Sequence, residues 1–267
     1  MTTFGFIGSG NMGGALAAAV SRSAGEKILL LADKLPEAAV NLAKKVGGCP
    51  VDNNTCALQA DYLFLGVKPQ FMAEMLDGIR PYLKKASEER RVILITMAAG
   101  LTMDRIREMA GGNYPIIRIM PNTPAAIGMG MTLYDAKDVT EEELKAFLEA
   151  MAPSGKLEPL SEHLIDAGSS VSGCGPAFVY MMIEALADGG VECGLPRATA
   201  QRLAAAMVAG AGEMVLQSGQ HPGALKDAVC SPGGTTIAGV HALESGGFRS
   251  LMMDAVKAAY DKNAVFK

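Results

Sequence analysis

The 267-residue chain is predicted to fold as an α/β layer followed by an all-helical half, on three observations. Short apolar runs alternate with helical patterns up to about residue 161, as βαβ units do. After Glu162 the strand signal disappears. A glycine hexamer, Gly8-Ser9-Gly10-Asn11-Met12-Gly13, follows the first apolar run directly.

Strands are expected over residues 4–7, 27–32, 62–67, 91–96, 115–120 and roughly 130–135. Most of these runs are apolar without alternation, the pattern of parallel strands covered by helices on both faces. Helices are expected between them, near 12–24, 35–46, 70–86 and 102–110. A further helix follows Thr140, which with Glu143 spells a capping box, and runs to about Met151. Beyond 161 the helices fall near 162–171, 175–193, 196–217, 222–230, 234–245 and 247–264. Pro176, Pro196 and Pro222 stand near helix starts, where a missing N–H costs little. The expected domains are therefore 1–161 and 162–267.

Composition narrows the function classes. Hydrophobic residues make up 49%, charged residues 19%, and the formal net charge is −4, which disfavours a polyanion such as nucleic acid as partner. Cys49, Cys56, Cys174, Cys193 and Cys230 show no C-x-x-C spacing, and three histidines complete a poor metal-ligand set. No metal is expected, and the thiols read as reduced and mostly structural in a cytoplasmic protein. Met1-Thr2-Thr3 leads straight into the first strand, so no export signal is expected. The apolar run from Leu203 to Leu216 is too short for a membrane span. Its Ala and Gly residues suit close helix packing and burial between subunits.

The hexamer fits G-x-G-x-x-G in the setting that gives it meaning, after a strand and opening a helix. A Rossmann-like doubly wound sheet is thus expected, with a dinucleotide held by Gly8, Ser9, Gly10, Asn11 and Met12. Asp33 lies 20 residues past Gly13, where a carboxylate meets the adenosine ribose; Lys34 beside it offers charge to a 2′-phosphate. NADH and NADPH both remain open. Further candidates sit at later strand ends: Val67-Lys68-Pro69, then Ala98-Ala99-Gly100, small enough to admit a nicotinamide ring. In Pro121-Asn122-Thr123-Pro124 the two prolines are expected to hold Asn122 and Thr123 in an extended turn. A second loop of small residues, Cys230-Ser231-Pro232-Gly233-Gly234-Thr235-Thr236, precedes a helix start and reads as an anion site or as an ordinary turn.

With GSGNMG, VKP, AAG, MPNTPA, SGCGPAF, LADGGVECGLPR, HPGALKDAVCSPGGTT and LESGGFRS in this order and spacing, the chain resembles the pyrroline-5-carboxylate reductases over nearly its whole length. Cys174 departs from the family's usual serine. The resemblance implies hydride transfer from NADPH or NADH to the C=N bond of 1-pyrroline-5-carboxylate, giving L-proline. It also implies a homo-oligomer, a dimer or assembly of dimers, through the helical domain. From the same resemblance, Ser231, Gly233, Gly234, Thr235 and Thr236 grip the substrate carboxylate, and the Thr236 hydroxyl lies beside the ring nitrogen.

The chemistry is compatible. A protonated imine accepts hydride to give a neutral amine, so little charge stabilisation is asked of the protein, and holding the reactants in place contributes up to about 7–11 kcal/mol in favourable systems. Two rivals are a hydroxyacid dehydrogenase, which carries a lysine about one turn after a G-x-G such as Gly173-Cys174-Gly175, and a non-catalytic dinucleotide-binding protein.

Overall fold

A computed structural model describes residues 1–263. One eight-stranded sheet organises the first part, with strands β1 (Thr2–Ile7), β2 (Lys27–Ala32), β3 (Cys49–Pro50), β4 (Tyr62–Leu65), β5 (Ile93–Thr96), β6 (Ile116–Met120), β7 (Gly130–Lys137) and β8 (Gly155–Pro159). Their order across the sheet is β3-β2-β1-β4-β5-β6-β7-β8. All neighbouring pairs are parallel except β6 with β7, where Ile116 faces Lys137 and Met120 faces Leu133. A 3₁₀ turn over Thr123–Ile127 is too short for a crossover, so β7 returns antiparallel.

The helices of this part are α1 (Asn11–Arg22), α2 (Pro36–Val46), α3 (Asn53–Gln59), α4 (Pro69–Glu89), α5 (Met103–Ala110) and α6 (Glu141–Met151). Strand residues alternate between two cores, which explains the unbroken apolar runs. Leu63 and Leu65 of β4 join Met72, Leu76 and Ile106 on one face. Tyr62 and Phe64 join Leu16, Leu42 and Phe147 on the other. The Phe64 ring stacks on Phe6 at 4.3 Å between centroids. The capping box forms as read: Thr140 Oγ1 accepts from Glu143 N at 3.2 Å and Glu143 Oε2 accepts from Thr140 N at 2.8 Å.

Three elements escape the sequence pattern: β3, β8 and α3. β3 has two residues, β8 is a largely exposed edge, and α3 is seven residues capped by Asp52, so none shows a usable period. The thiols also differ from expectation, since Cys56 is buried while Cys49 and Cys193 are exposed.

Beyond the sheet come α7 (Glu162–Ser172), α8 (Gly175–Glu192), α9 (Arg197–Ser218), α10 (Pro222–Ala228), α11 (Thr235–Ser245) and α12 (Phe248–Asn263). Residue 264, the expected end of α12, lies outside the described residues, as does the rest of the expected domain to 267. Packing groups the described residues into two compact units, Met1–Cys174 with residues 259–263, and Gly175–Ala258, so α7, the first helix of the expected helical half, sits with the sheet. The reason is ionic. Arg118 on β6, its side chain only 3% exposed, pairs with Asp166 at 2.8 Å and Glu162 at 3.4 Å on α7. Glu162 Oε1 also accepts from Met103 N at 2.7 Å, and Glu162 N donates to Asp135 Oδ2 at 2.6 Å. A buried guanidinium requires these partners, so α7 packs on the sheet.

Candidate functional site

β1 and β4 lie side by side at the sheet's topological switch point, with β2 on one side and β5 on the other. In open α/β sheets ligands bind outside the carboxyl ends of strands at such a point. The chain leaves β1 through Gly8, whose N–H donates to Ala32 O at 2.9 Å, and leaves β4 through Gly66, whose N–H donates to Ile7 O at 2.7 Å. Gly8 has φ +108°, and a Cβ there would sit 2.5 Å from Gly66 O. A Cβ on Gly13 would drive into Gly8 O, so helix and strand meet only as glycines. At Gly10 nothing stands within 4 Å of a Cβ position. That opening fits a pyrophosphate approaching the backbone.

α1 begins at this opening with Gly10 as N-cap, no side-chain cap and no acidic residue in its first turn. The Gly14 N–H is paired with Gly10 O at 2.7 Å, so the helix N–H groups before it face outward. With the helix dipole they attract an anion. Asp33, just past β2, is bound to the same loop: its Oδ2 accepts from Ser9 N at 2.7 Å and its Oδ1 from Leu35 N at 2.9 Å. Ser9 Oγ donates to Ala32 O at 3.1 Å. Lys34 and Asn11 are exposed, and Met12 is half-buried against the core.

Other predicted residues divide between the strand ends and the core. Lys68 is the exposed N-cap of α4 and Pro69 is its first residue, while Val67 packs partly on the core. Ala98 is 1% exposed, backbone included, and belongs to the core; Ala99 and Gly100 are half-buried, Gly100 with φ +74°. Asn122 is extended as expected, but Thr123 opens the 3₁₀ turn and leaves the extended state. The Asn122 amide is committed at both ends: Nδ2 donates to Ser172 O at 3.0 Å and Oδ1 accepts from Met131 N at 3.0 Å. It ties α7 to β7 within the first unit. A residue the sequence reading missed is Asn53, at the start of α3 beyond β3, the strand beside β2. Its Oδ1 is buried without a hydrogen-bond partner. No motif flags an asparagine that a two-residue strand places there.

The second loop lies in the other unit. Gly233 takes φ +70°, a left-handed conformation that favours glycine, and Gly234 N donates to Ser231 O at 3.0 Å, closing a turn. Gly234 is the N-cap of α11, again with no side-chain cap and no acidic residue in the first turn. Thr235 and Thr236 are therefore the first two helical residues, with N–H groups at the helix N-terminus and exposed side chains. A Cβ on Gly234 would meet Ser231 Oγ, so a side chain there would have to turn the serine hydroxyl away.

The ionisations displaced furthest are those of Cys56 and Tyr62, while Asp227 raises Lys226 ahead of the second turn. Burial pushes the Cys56 thiol and the Tyr62 phenol up to about 12. Arg91, bound to Glu143 at 2.6 Å, holds that carboxyl below its ordinary value.

Residues 162–265 match the family model described as pyrroline-5-carboxylate reductase dimerisation, and residues 3–100 the model described as NADP oxidoreductase, coenzyme F420-dependent. The chain is 41% identical over 265 residues to a pyrroline-5-carboxylate reductase of Glycine max, covering 96% of this chain and 93% of that one. The chain belongs to the pyrroline-5-carboxylate reductase family. Solved structures agree. A pyrroline-5-carboxylate reductase from Coxiella burnetii superposes with a TM-score of 0.89 at 29% identity, over 100% of this chain and 98% of that one. A Plasmodium falciparum pyrroline carboxylate reductase with NADP bound does so at 0.84 and 31%, over 99% and 98%.

Family membership makes the chain an NAD(P)H-dependent oxidoreductase acting on a C=N bond. It also removes the hydroxyacid dehydrogenase reading, whose lysine is missing: α8, from Gly175 to Glu192, contains none.

Proposed function

We propose that the two uncapped glycine turns divide the ligands of proline synthesis, with 1–161 as the dinucleotide-binding domain and 162–267 as the substrate-binding and dimerisation domain. The Gly8–Gly13 turn takes the pyrophosphate of the cofactor, with Ser9, Asn11 and Met12 in the turn and Asp33 and Lys34 at the adenosine end. Val67, Lys68, Pro69, Ala98, Ala99 and Gly100 line the nicotinamide end through backbone and small side chains, and Asn122 keeps the β6 exit in shape behind them. The cofactor supplies hydride.

The Ser231–Thr236 turn takes the carboxylate of 1-pyrroline-5-carboxylate. The observation that carries this is the helix start at Gly234, which has neither a side-chain cap nor an acidic neighbour in its first turn. Its N–H groups are then satisfied by an anion, each charge-assisted bond contributing roughly 1.5–3 kcal/mol. Ser231 adds a hydroxyl, and Gly233 and Gly234 shape the backbone. The Thr236 hydroxyl bonds to the ring nitrogen, which enters protonated, and thereby fixes which face of the imine carbon is offered. Positioning, with little acid chemistry, accounts for the rate. The working enzyme is a homodimer or an assembly of dimers, joined through the helical half and located in the cytoplasm, where its five thiols stay reduced.

The test is purified protein with pyrroline-5-carboxylate and each reduced cofactor in turn, with proline measured as product. Substrate-dependent oxidation is expected, and Thr236→Ala is expected to lower kcat about 10- to 100-fold, equivalent to about 1.4–2.7 kcal/mol, with cofactor affinity unchanged. No oxidation with either cofactor overturns the reading; an unchanged kcat removes Thr236 from it.

A further inference from the structure

The Asp33 carboxylate does not hang free at the end of β2. Its two oxygens are held by two backbone donors, Ser9 N at 2.7 Å and Leu35 N at 2.9 Å, one in the glycine turn and one at the start of α2. Turning the carboxylate aside would break two charge-assisted bonds and strand both N–H groups. Each carboxylate oxygen has a second lone pair, so the fixed group still accepts a hydroxyl.

The surrounding charge is also adverse to a second anion. Residues 33–37, Asp-Lys-Leu-Pro-Glu, carry two carboxylates and one ammonium. They hold no arginine to grip a phosphate in two places. The first turn of α2 carries Glu37. Leu35, 69% exposed, adds an apolar surface at this end of the turn.

We infer that the chain selects NADH over NADPH and that Asp33 is its specificity-determining residue: the carboxylate accepts the adenosine 2′-hydroxyl and repels a 2′-phosphate. This rests on the assignment of Gly8–Gly13 to the cofactor. A hydroxyl is a donor the carboxylate can use, whereas a phosphate dianion places charge against a fixed like charge, and that juxtaposition is the repulsive element specificity needs.

Binding is measured by calorimetric titration of the protein with NADH and NADPH in the absence of substrate, alongside kcat/KM for each with pyrroline-5-carboxylate. The expected result is NADH bound at least about tenfold more tightly, with the same order in kcat/KM. Asp33→Asn, which keeps an acceptor and removes the charge, is expected to tighten NADPH and narrow the ratio about tenfold or more. Lys34→Ala is expected to leave the order unchanged. Equal or tighter NADPH binding by the unaltered protein overturns the inference while the cofactor turn stands. So does an Asp33→Asn variant that weakens both cofactors equally, the outcome of a purely structural role, or a Lys34→Ala variant that selectively loses NADPH. Failure of both cofactors to bind overturns the inference together with the assignment beneath it. Normal binding without turnover leaves the preference standing and rejects only the substrate.

Discussion

In the sheet-bearing unit most of the large apolar side chains are inside: Phe6, Phe64 and Phe147 are each fully buried. In the helical unit they are outside. Tyr180, Met181, Leu203, Met207, Leu251 and Met253 are all more than half exposed, and the buried hydrophobics of that unit are three alanines, Ala187, Ala200 and Ala204. Helices α10, α11 and α12 bury nothing. A domain of this size normally owns a core, and an exposed apolar surface of this kind marks an interface. The match of 162–265 to a dimerisation family says what kind. One unit closes its core alone, and the other leaves its apolar side chains exposed.

The comparison is broken most severely by charging the helical face. Leu203→Glu with Met207→Glu is expected to shift the protein to monomers in sedimentation velocity and to lower the thermal midpoint by about 10 °C or more, because folding and association are linked. Monomers with an unchanged midpoint would show that the helical unit holds its fold alone. Next in size is Phe64→Ala in the sheet core, expected to cost about 3–5 kcal/mol in denaturant unfolding with dimerisation intact. A loss below about 1 kcal/mol would contradict the closed core.

The thiols sharpen the same contrast within the first unit. Cys56, buried and lifted to about 12, is expected to resist alkylation at neutral pH on the native protein, while exposed Cys49 reacts; mass spectrometry of partly labelled protein reads the order. The smallest effect is expected at the α6 cap. Arg91 depresses the Glu143 carboxyl, so the stabilisation is present above the unfolded glutamate value of about 4.3 and is lost as pH falls through the lower folded value. Glu143→Gln is therefore expected to cost at most about 1 kcal/mol at neutral pH, and the difference from the parent protein shrinks towards pH 3. A difference that grows in acid would reverse the assignment.

How much was legible follows from period and length. β1, β2, β4, β5 and β6 announced themselves as apolar runs, and the capping box at Thr140 marked α6 to the residue. β3 and β8 carry too few buried residues to print a pattern, and the antiparallel turn of β7 depends on the shortness of a 3₁₀ segment that proline spacing alone does not reveal. At the site, both glycine turns were visible because close backbone approach and left-handed φ demand glycine at particular letters. The commitment of the Asn122 amide to Ser172 and Met131 was invisible, since its partners lie 50 and 9 residues away.

By itself, then, the sequence determined the layer type, the two glycine turns and the family, because these rest on local period and on residue types few others replace. The tertiary structure decided that α7 belongs to the sheet through Arg118, that Asp33 is pinned to Ser9 and Leu35, and that the helical unit lacks a core of its own. Those outcomes depend on which distant groups meet, and burial and ion pairing are settled only when the chain has closed on itself.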